Sequence, residues 1–281
     1  MEVVVSYKYI EEAIINNDMP ITKIDLIEKF KEIGLNKGDN VIVHASLSSL
    51  GYVIGGVETI YLALDTVLGL DGTIVVPTQT VEITDPSTWE CPKVPQEWFD
   101  TIRRNMPPFN INTSYSKAMG EFSNFIRSLP NSVRSSHPVY SFSAIGKLAT
   151  FITKDQPLNF PLGRNSPLEK LYELNAKVLL IGTDFDSNTS IHLAENYIDR
   201  DKIIEKSKVS IDGREKWIEF DNIEFDIYDD FIDLQKSFCK HYKVNIAKVG
   251  KASIEAFNMK ECVNFAKSFY IKKKETIESN K

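Results

Sequence analysis

Apolar positions recur along this chain in two rhythms. Ile24, Leu26, Ile27, Phe30 and Ile33 fall at helical spacing and stop at Gly34, which predicts a helix over 23–33. "DNVIVHAS" (39–46) is a nearly continuous apolar run, the pattern of a strand buried on both faces. The loop "SLSSLGYVIGG" follows, then a helical stretch over 57–68 closed by Gly69, then a turn and a second buried strand in "DGTIVVPTQT" (71–80). Strand, helix and strand in that order imply a parallel crossover. Residues 84–120 are rich in Pro, Trp and Asn and have little period, so they read as an excursion that lines a site or as an element whose pattern is hidden. A helix is expected over 120–130, and "NSVRSSHPVYSFSAIG" (131–146) is a polar loop running into a strand. "SPLEKLYELN" (166–175) predicts a short helix with Ser166 as cap, Pro167 in the first turn and Glu169 completing a capping box. "AKVLLIG" (176–182) is a further core strand.

Beyond Arg200 the texture changes. "KSKVSIDGREKWIEFDNIEF" alternates in two halves around Asp-Gly, the signal of an antiparallel hairpin. Residues 226–244 read as a polar helix, and the remainder as a short strand, a C-terminal helix and a frayed tail over 272–281. The expected fold class is α/β: a core of parallel or mixed sheet with flanking helices, and a mixed α+β C-terminal portion carrying the hairpin. One domain spans 1–281, with the core over about 20–200 and the C-terminal portion over about 201–270.

Composition narrows the function classes. A net charge of -6 argues against non-specific nucleic-acid binding, and it suits either a cationic small-molecule partner or simple solubility. No apolar run approaches the roughly 18–20 residues of a membrane span, and "MEVVVSYKYIEE" has neither the basic start nor the cleavage site of a signal peptide. Three scattered cysteines make neither a disulfide framework nor a metal site, so the chain is expected in the cytoplasm with no metal.

Three strands end in polar loops, and sites in open α/β sheets gather at such strand ends. In "HASLSSLGYVIGG", Ser46, Ser48 and Ser49 offer hydroxyls, and Gly51, Gly55 and Gly56 allow close backbone approach ahead of a helix. That suits a phosphate, or equally a cap and a turn, and it is not a Walker A loop. His44, inside the apolar strand, reads as a core or supporting histidine. In "RSSHP", Arg134 presents a planar fork that can hold a phosphate, Ser135 and Ser136 add donors, and His137 is held extended by Pro138. A structural turn explains that stretch as well.

"LLIGTDFDSNTSIHLAEN" (179–196) is the most informative stretch. Asn188 or Thr189 can cap a helix starting at Ser190, which places His192 in the first turn, where the helix dipole favours a neutral ring. Glu195, three residues on, shares its face and can fix the ring's tautomer. The pair has the makings of a general base with its orienter. A capped helix with a half-buried histidine is the plainer alternative, and metal binding is poorer because no further ligand accompanies the His-x-x-Glu spacing.

Six segments resemble, in order, the aminoglycoside N3-acetyltransferase family, which is distinct from the GNAT acetyltransferases. They are "GDNVIVHASLSSLGYVIGG", "DGTIVVPTQT", "DPSTWECPKVPQEWFDTIRRNMPPF", "RSSHPVYSFSAIG", "LGRNSPLEKLYELNAKVLLIGTDFDSNTSIHLAE" and "VGKASIEAFNMKECVNFAKSF", covering roughly residues 20–270. The resemblance implies transfer of acetyl from acetyl-CoA to the 3-amino group of a 2-deoxystreptamine aminoglycoside, by direct attack. It implies His192 as base with Glu195 beside it; His137, which could contact CoA or the reacting centre, is a second catalytic candidate. It implies Ser46, Leu47, Ser48, Ser49, Leu50, Gly51, Arg134, Ser135 and Ser136 as the acetyl-CoA contacts. Asp186, Glu97 and Asp100 are expected to meet a cationic acceptor, with Glu82 and Asp85 as further candidates. Two other readings stay open at this point. One is an acetyl-CoA-dependent transferase acting on a non-antibiotic amine, and the other a CoA- or ligand-binding protein without activity.

Overall fold

A computed structural model describes residues 11, 14–15, 19–225, 227–228 and 230–279. The N-terminal stretch read for a signal peptide lies almost wholly outside them, as do Asp226 and Asp229 at the start of the expected polar helix. The main sheet has seven strands in the order β3-β4-β2-β1-β5-β9-β8. These are β1 (Asn40–Ala45), β2 (Thr73–Pro77), β3 (Val133–Arg134), β4 (Phe142–Gly146), β5 (Lys177–Ile181), β8 (Asn245–Val249) and β9 (Ala252–Asn258). The central strands β2, β1 and β5 are parallel, with Val41 opposite both Ile74 and Lys177, while β4 and β9 pair antiparallel on either side. The chain is therefore α/β, as its apolar runs imply, and its sheet is mixed.

The continuous apolar runs follow from burial on both faces. Val41, Val43, Ile74, Val76, Leu179 and Ile181 point into one core, and Ile42, Val75, Val178 and Leu180 into the other. The first core is covered by α1 (Lys23–Glu32) through Leu26 and Phe30, by α3 (Gly56–Leu68) through Leu64, and by α5 (Gly120–Ser128) through Phe122 and Ile126. α2 (Leu47–Leu50) is a single turn between them. The second core is covered by α7 (Pro167–Glu173), α8 (Ile191–Asn196), α9 (Phe231–His241) and α10 (Met259–Ser279), with α6 (Ala149–Thr153) at its edge. α1 starts on a full capping box: Thr22 Oγ1 accepts the Asp25 N–H, and Asp25 accepts the Thr22 N–H. At α7, Ser166 Oγ accepts the Glu169 N–H as expected. The Glu169 carboxylate, however, takes the Asn165 N–H and the Tyr197 hydroxyl, so the box is only half made.

Two expectations change. Beyond the hairpin the C-terminal part holds two strands, not one, and β8 and β9 join the main sheet beside β5. α10 runs unbroken to Ser279, where a frayed tail was expected from 272. Residues 84–120 form no strand of the sheet; they hold short 3-10 turns and α4 (Phe99–Asn105). The expected hairpin is present as β6 (Lys202–Ile211) and β7 (Arg214–Ile223), turned at Asp212 and Gly213, both with positive φ. It holds the excursion in place: Asp85 N–H donates to the Lys206 carbonyl, Phe109 N–H to the Lys208 carbonyl, and the Trp217 indole to the Arg103 carbonyl. Among the described residues no helix is long and apolar enough to cross a membrane.

Candidate active site

Parallel strands share a direction, so the carboxyl ends of β1, β2 and β5 meet at one edge of the sheet. A cleft of about 570 Å³ opens there. β1 supplies His44 and Ala45, the loop after it Ser46, Leu47 and Ser48, and the end of β2 Pro77 and Gln79. The loop and helix after β5 supply Asp186, Ser187, Thr189 and His192. Sequence reasoning missed the remaining wall, Ala118–Glu121 and Ser123 at the start of α5. Its only signal was the glycine opening "GEFSNF", because the run before it has no period.

Backbone geometry joins the loops. Gly182, just past β5, has φ +64°, and a Cβ there would lie 1.9 Å from Ser49 Oγ. Ser49 Oγ donates to the Ser46 and Gly182 carbonyls at 2.6 and 2.8 Å, which ties the β1 loop to the β5 loop. Asn188 Oδ1 accepts the Ser190 N–H and hydroxyl at 3.2 and 2.7 Å, which turns the chain into α8.

His192 and Glu195 meet as their spacing implies. His192 Nδ1 lies 2.7 Å from Glu195 Oε2; the His192 side chain is 17% exposed and Glu195 is fully buried. A carboxylate only accepts, so Nδ1 carries the proton and the ring lone pair lies on Nε2. The ring packs on Phe225, 4.6 Å between centroids, and Asn196 holds the His192 carbonyl at 2.9 Å. Behind the pair, Arg200 donates to Glu195 Oε1 at 3.2 Å. His44 lines the same cleft. Burial, and secondarily the charge of His192, push it down to about 3, so it is a neutral imidazole at working pH.

The "RSSHP" loop does not line the cleft. All five Arg134 donors have protein partners: Ser141 Oγ, the Ser114 and Ile111 carbonyls, the Thr78 carbonyl and Ser116 Oγ. Its guanidinium also lies over the Phe109 ring at 5.0 Å. The fork expected to hold a phosphate instead ties the end of the excursion to the end of β2. Ser135 Oγ donates to Gln156 and accepts from the Phe142 N–H, and Ser136 is exposed outside the cleft wall. His137 is buried, with Nε2 on the Leu158 carbonyl at 3.1 Å and Nδ1 accepting the Val139 and Tyr140 N–H groups. Both ring nitrogens have backbone partners, and the ring lies outside the cleft lining.

The other expected contacts divide. Ser46, Leu47 and Ser48 line the cleft, Ser49 laces the loops, Leu50 is in the core, and Gly51 ends α2 at φ 94°. Of the acidic candidates, Asp186 lines the cleft, whereas Glu97 and Asp100 are exposed outside its lining. Glu82 sits near the Lys117 N–H at 3.5 Å. Asp85 is the buried partner of Arg103, two bonds of 2.8 Å, and caps its own 3-10 turn. Glu121 is the cleft carboxylate that the sequence did not single out. Among the described residues no group of three His, Cys, Asp or Glu side chains could share a metal ion.

Known proteins match this chain closely. A family profile described as aminoglycoside 3-N-acetyltransferase matches residues 42–270. The SPbeta prophage-derived aminoglycoside N(3')-acetyltransferase-like protein YokD of Bacillus subtilis (strain 168) is 42% identical over 90% of this chain and 93% of its own length. Its crystal structure superposes with a TM-score of 0.89 at 40% identity, covering 93% of this chain and 97% of YokD. Aminoglycoside N(3)-acetyltransferase VII of Streptomyces paromomycinus is 33% identical over 74% of this chain and 73% of its own. The structure described as AAC-IIIb binary with CoASH matches at a TM-score of 0.81 and 25% identity, over 91% of this chain and 98% of that one.

Proposed function

This chain belongs to the aminoglycoside 3-N-acetyltransferase family, and from that premise we propose that it transfers acetyl from acetyl-CoA to the 3-amino group of a 2-deoxystreptamine aminoglycoside, with His192 as general base. The observation that carries the reading is the His192–Glu195 pair at the cleft wall, Nδ1 bonded to a buried carboxylate at 2.7 Å.

The chemistry follows from that arrangement. An amine is mostly ammonium at neutral pH and cannot attack a thioester until it loses a proton. That first proton goes to water. The lone pair of the neutral amine then forms a C–N bond to the thioester carbonyl, and the carbonyl electron pair moves to oxygen. His192 Nε2 takes a second proton from the nitrogen as that bond forms, and Glu195 balances the imidazolium through Nδ1–H. Collapse restores the carbonyl and breaks the C–S bond, and the proton on His192 goes to the leaving thiolate. Ser46, Ser48 and Gln79 are the cleft donors for the oxyanion and for the acetyl-CoA chain. CoASH in the AAC-IIIb structure supports acetyl-CoA as the donor. Asp186 and Glu121 supply negative charge for an ammonium-rich acceptor.

A second reading keeps the chemistry and changes the acceptor to a less charged, non-antibiotic amine. It is favoured by the placement of Glu97 and Asp100 outside the cleft lining. The test uses acetyl-CoA labelled with carbon-13 in the acetyl group and a 2-deoxystreptamine aminoglycoside. The expected product carries the label on the 3-amino nitrogen by NMR, and the quenched enzyme carries no acetyl adduct by intact mass. Label on another amine would change the regiochemistry; an acetyl-enzyme would overturn direct attack.

A further inference from the structure

Arg200 follows α8, and its side chain is 2% exposed. Among the described residues it makes one hydrogen bond, NH2 to Glu195 Oε1 at 3.2 Å, while Nε and NH1 are buried with no partner there. Tyr228 and Tyr270 flank the guanidinium, 5.0 and 5.2 Å from their ring centroids. A buried guanidinium with orphaned donors is costly. If filling the space between two tyrosines were its only task, a methionine or leucine would do so at less cost. What the guanidinium adds is charge and direction, and both point at Glu195.

Glu195 thus has one oxygen on each side: Oε2 on His192 and Oε1 on Arg200. The terminal torsion of a glutamate is soft. Bonds to both oxygens stop its rotation, and the cation favours the anionic form that holds a proton on His192 Nδ1. We infer that Arg200 is a positioning residue, which fixes Glu195 as the anion that orients His192 and sets its tautomer. The inference rests on His192 being the base.

His44 faces the same cleft and is neutral, and Asp186 lies on the cleft wall. On α10, packed against α8, Lys273 and Lys274 pair with Asp230 and Asp199. Removing the Arg200 charge therefore makes a proton on the His192–Glu195 pair easier to hold, whichever of the two residues carries it.

The test compares Arg200→Met, Arg200→Lys and His192→Gln with the parent, by acetyl-transfer kinetics over pH and by nitrogen-15 NMR of histidine-labelled protein. Arg200→Met should lower kcat by about tenfold or more with KM for acetyl-CoA within about twofold. It should move the acid limb of kcat/KM upward by about half a pH unit or more, and replace the single His192 tautomer by a mixture. Arg200→Lys should restore the limb and part of kcat. Should the methionine variant not fold, Arg200→Gln takes its place with the same expectations. An unmoved acid limb with an unchanged His192 tautomer would overturn the inference while leaving His192 as the base. Full activity in His192→Gln would overturn the base assignment instead.

Discussion

His137 and His192 carry the same ring into opposite settings. His137 is closed in by the Leu158 carbonyl, two backbone N–H groups and an edge contact from Phe220 at 4.9 Å, and burial pushes it down to about 4. In the unfolded chain it titrates near the ordinary value of 6.5. As pH falls from about 6.5 to about 4, the unfolded state takes a proton that the folded state refuses. Stability therefore drops across that window by up to about 1.4 kcal/mol per pH unit, and His137 adds no slope above it. In His137→Asn this part of the slope should vanish, as seen by urea unfolding at pH 7 and pH 5; an unchanged difference would contradict the account. Arg134→Met should cost about 1–3 kcal/mol, because it takes the guanidinium bond from the Ser114 carbonyl and leaves the Thr78 carbonyl with Ser141 Oγ alone. The folded fraction should keep its KM for acetyl-CoA, and a large rise in that KM would return Arg134 to the cofactor. The His192–Glu195 contact was legible because both residues sit on one helix, three apart. The Ser114 and Thr78 partners of Arg134 and the Leu158 partner of His137 come from 20 to 56 residues away, so the sequence displayed their donors without showing that these were taken. Nothing in "IDRD" singled out Arg200.

Between elements, the excursion over 84–116 depends on a few polar ties to the hairpin and to β2. Arg103 grips Asp85 with two bonds of 2.8 Å, and holds its carboxyl down to about 2. A lowered carboxyl contributes stability that is complete above its unfolded value near 3.8 and is lost as pH falls through about 2. Asp85→Asn should therefore open the excursion to limited proteolysis at pH 7, at a cost of about 1–3 kcal/mol. The gap to the parent should narrow between pH 4 and pH 2; a gap that persisted at pH 2 would deny the ion pair its role. Gly182→Ala tests the joint between β5 and the cleft loops: φ +64° and Ser49 Oγ both oppose a Cβ, so a loss of about 1 kcal/mol or more is expected from thermal unfolding. Helices with caps and strands with continuous apolar runs were legible because their signals are local. β8 and β9 were not resolved as a pair, since "VNIAKVGKASIEAFN" mixes Lys and Glu into an edge hairpin open on one side. The excursion has no period because its order comes from contacts with the hairpin more than 90 residues away.

Over the whole molecule, the two apolar faces of the strands already imply a sheet covered on both sides, and the cleft follows from the shared direction of β1, β2 and β5. The antiparallel edges were hidden, because strand order depends on pairings that no local pattern records. The net charge of -6 acts at this scale together with Asp186 and Glu121 in the cleft. Raising ionic strength from about 0.01 to 0.15 M shortens the screening length from about 30 to 8 Å. For a polycationic amine, kcat/KM should fall over that range while kcat holds, and indifference to salt would favour the less charged acceptor. The central claim is that the His192–Glu195 pair drives acetyl transfer to an amine, and steady-state release of CoA thiol tests it most directly. The measurement is made with acetyl-CoA and a 2-deoxystreptamine aminoglycoside, for the parent and for His192→Ala. Turnover in the parent, with kcat lowered about 10²- to 10⁴-fold in the variant and KM for acetyl-CoA nearly unchanged, is the expected result. Equal turnover in the two proteins, or a variant that has lost acetyl-CoA binding instead of kcat, would contradict it.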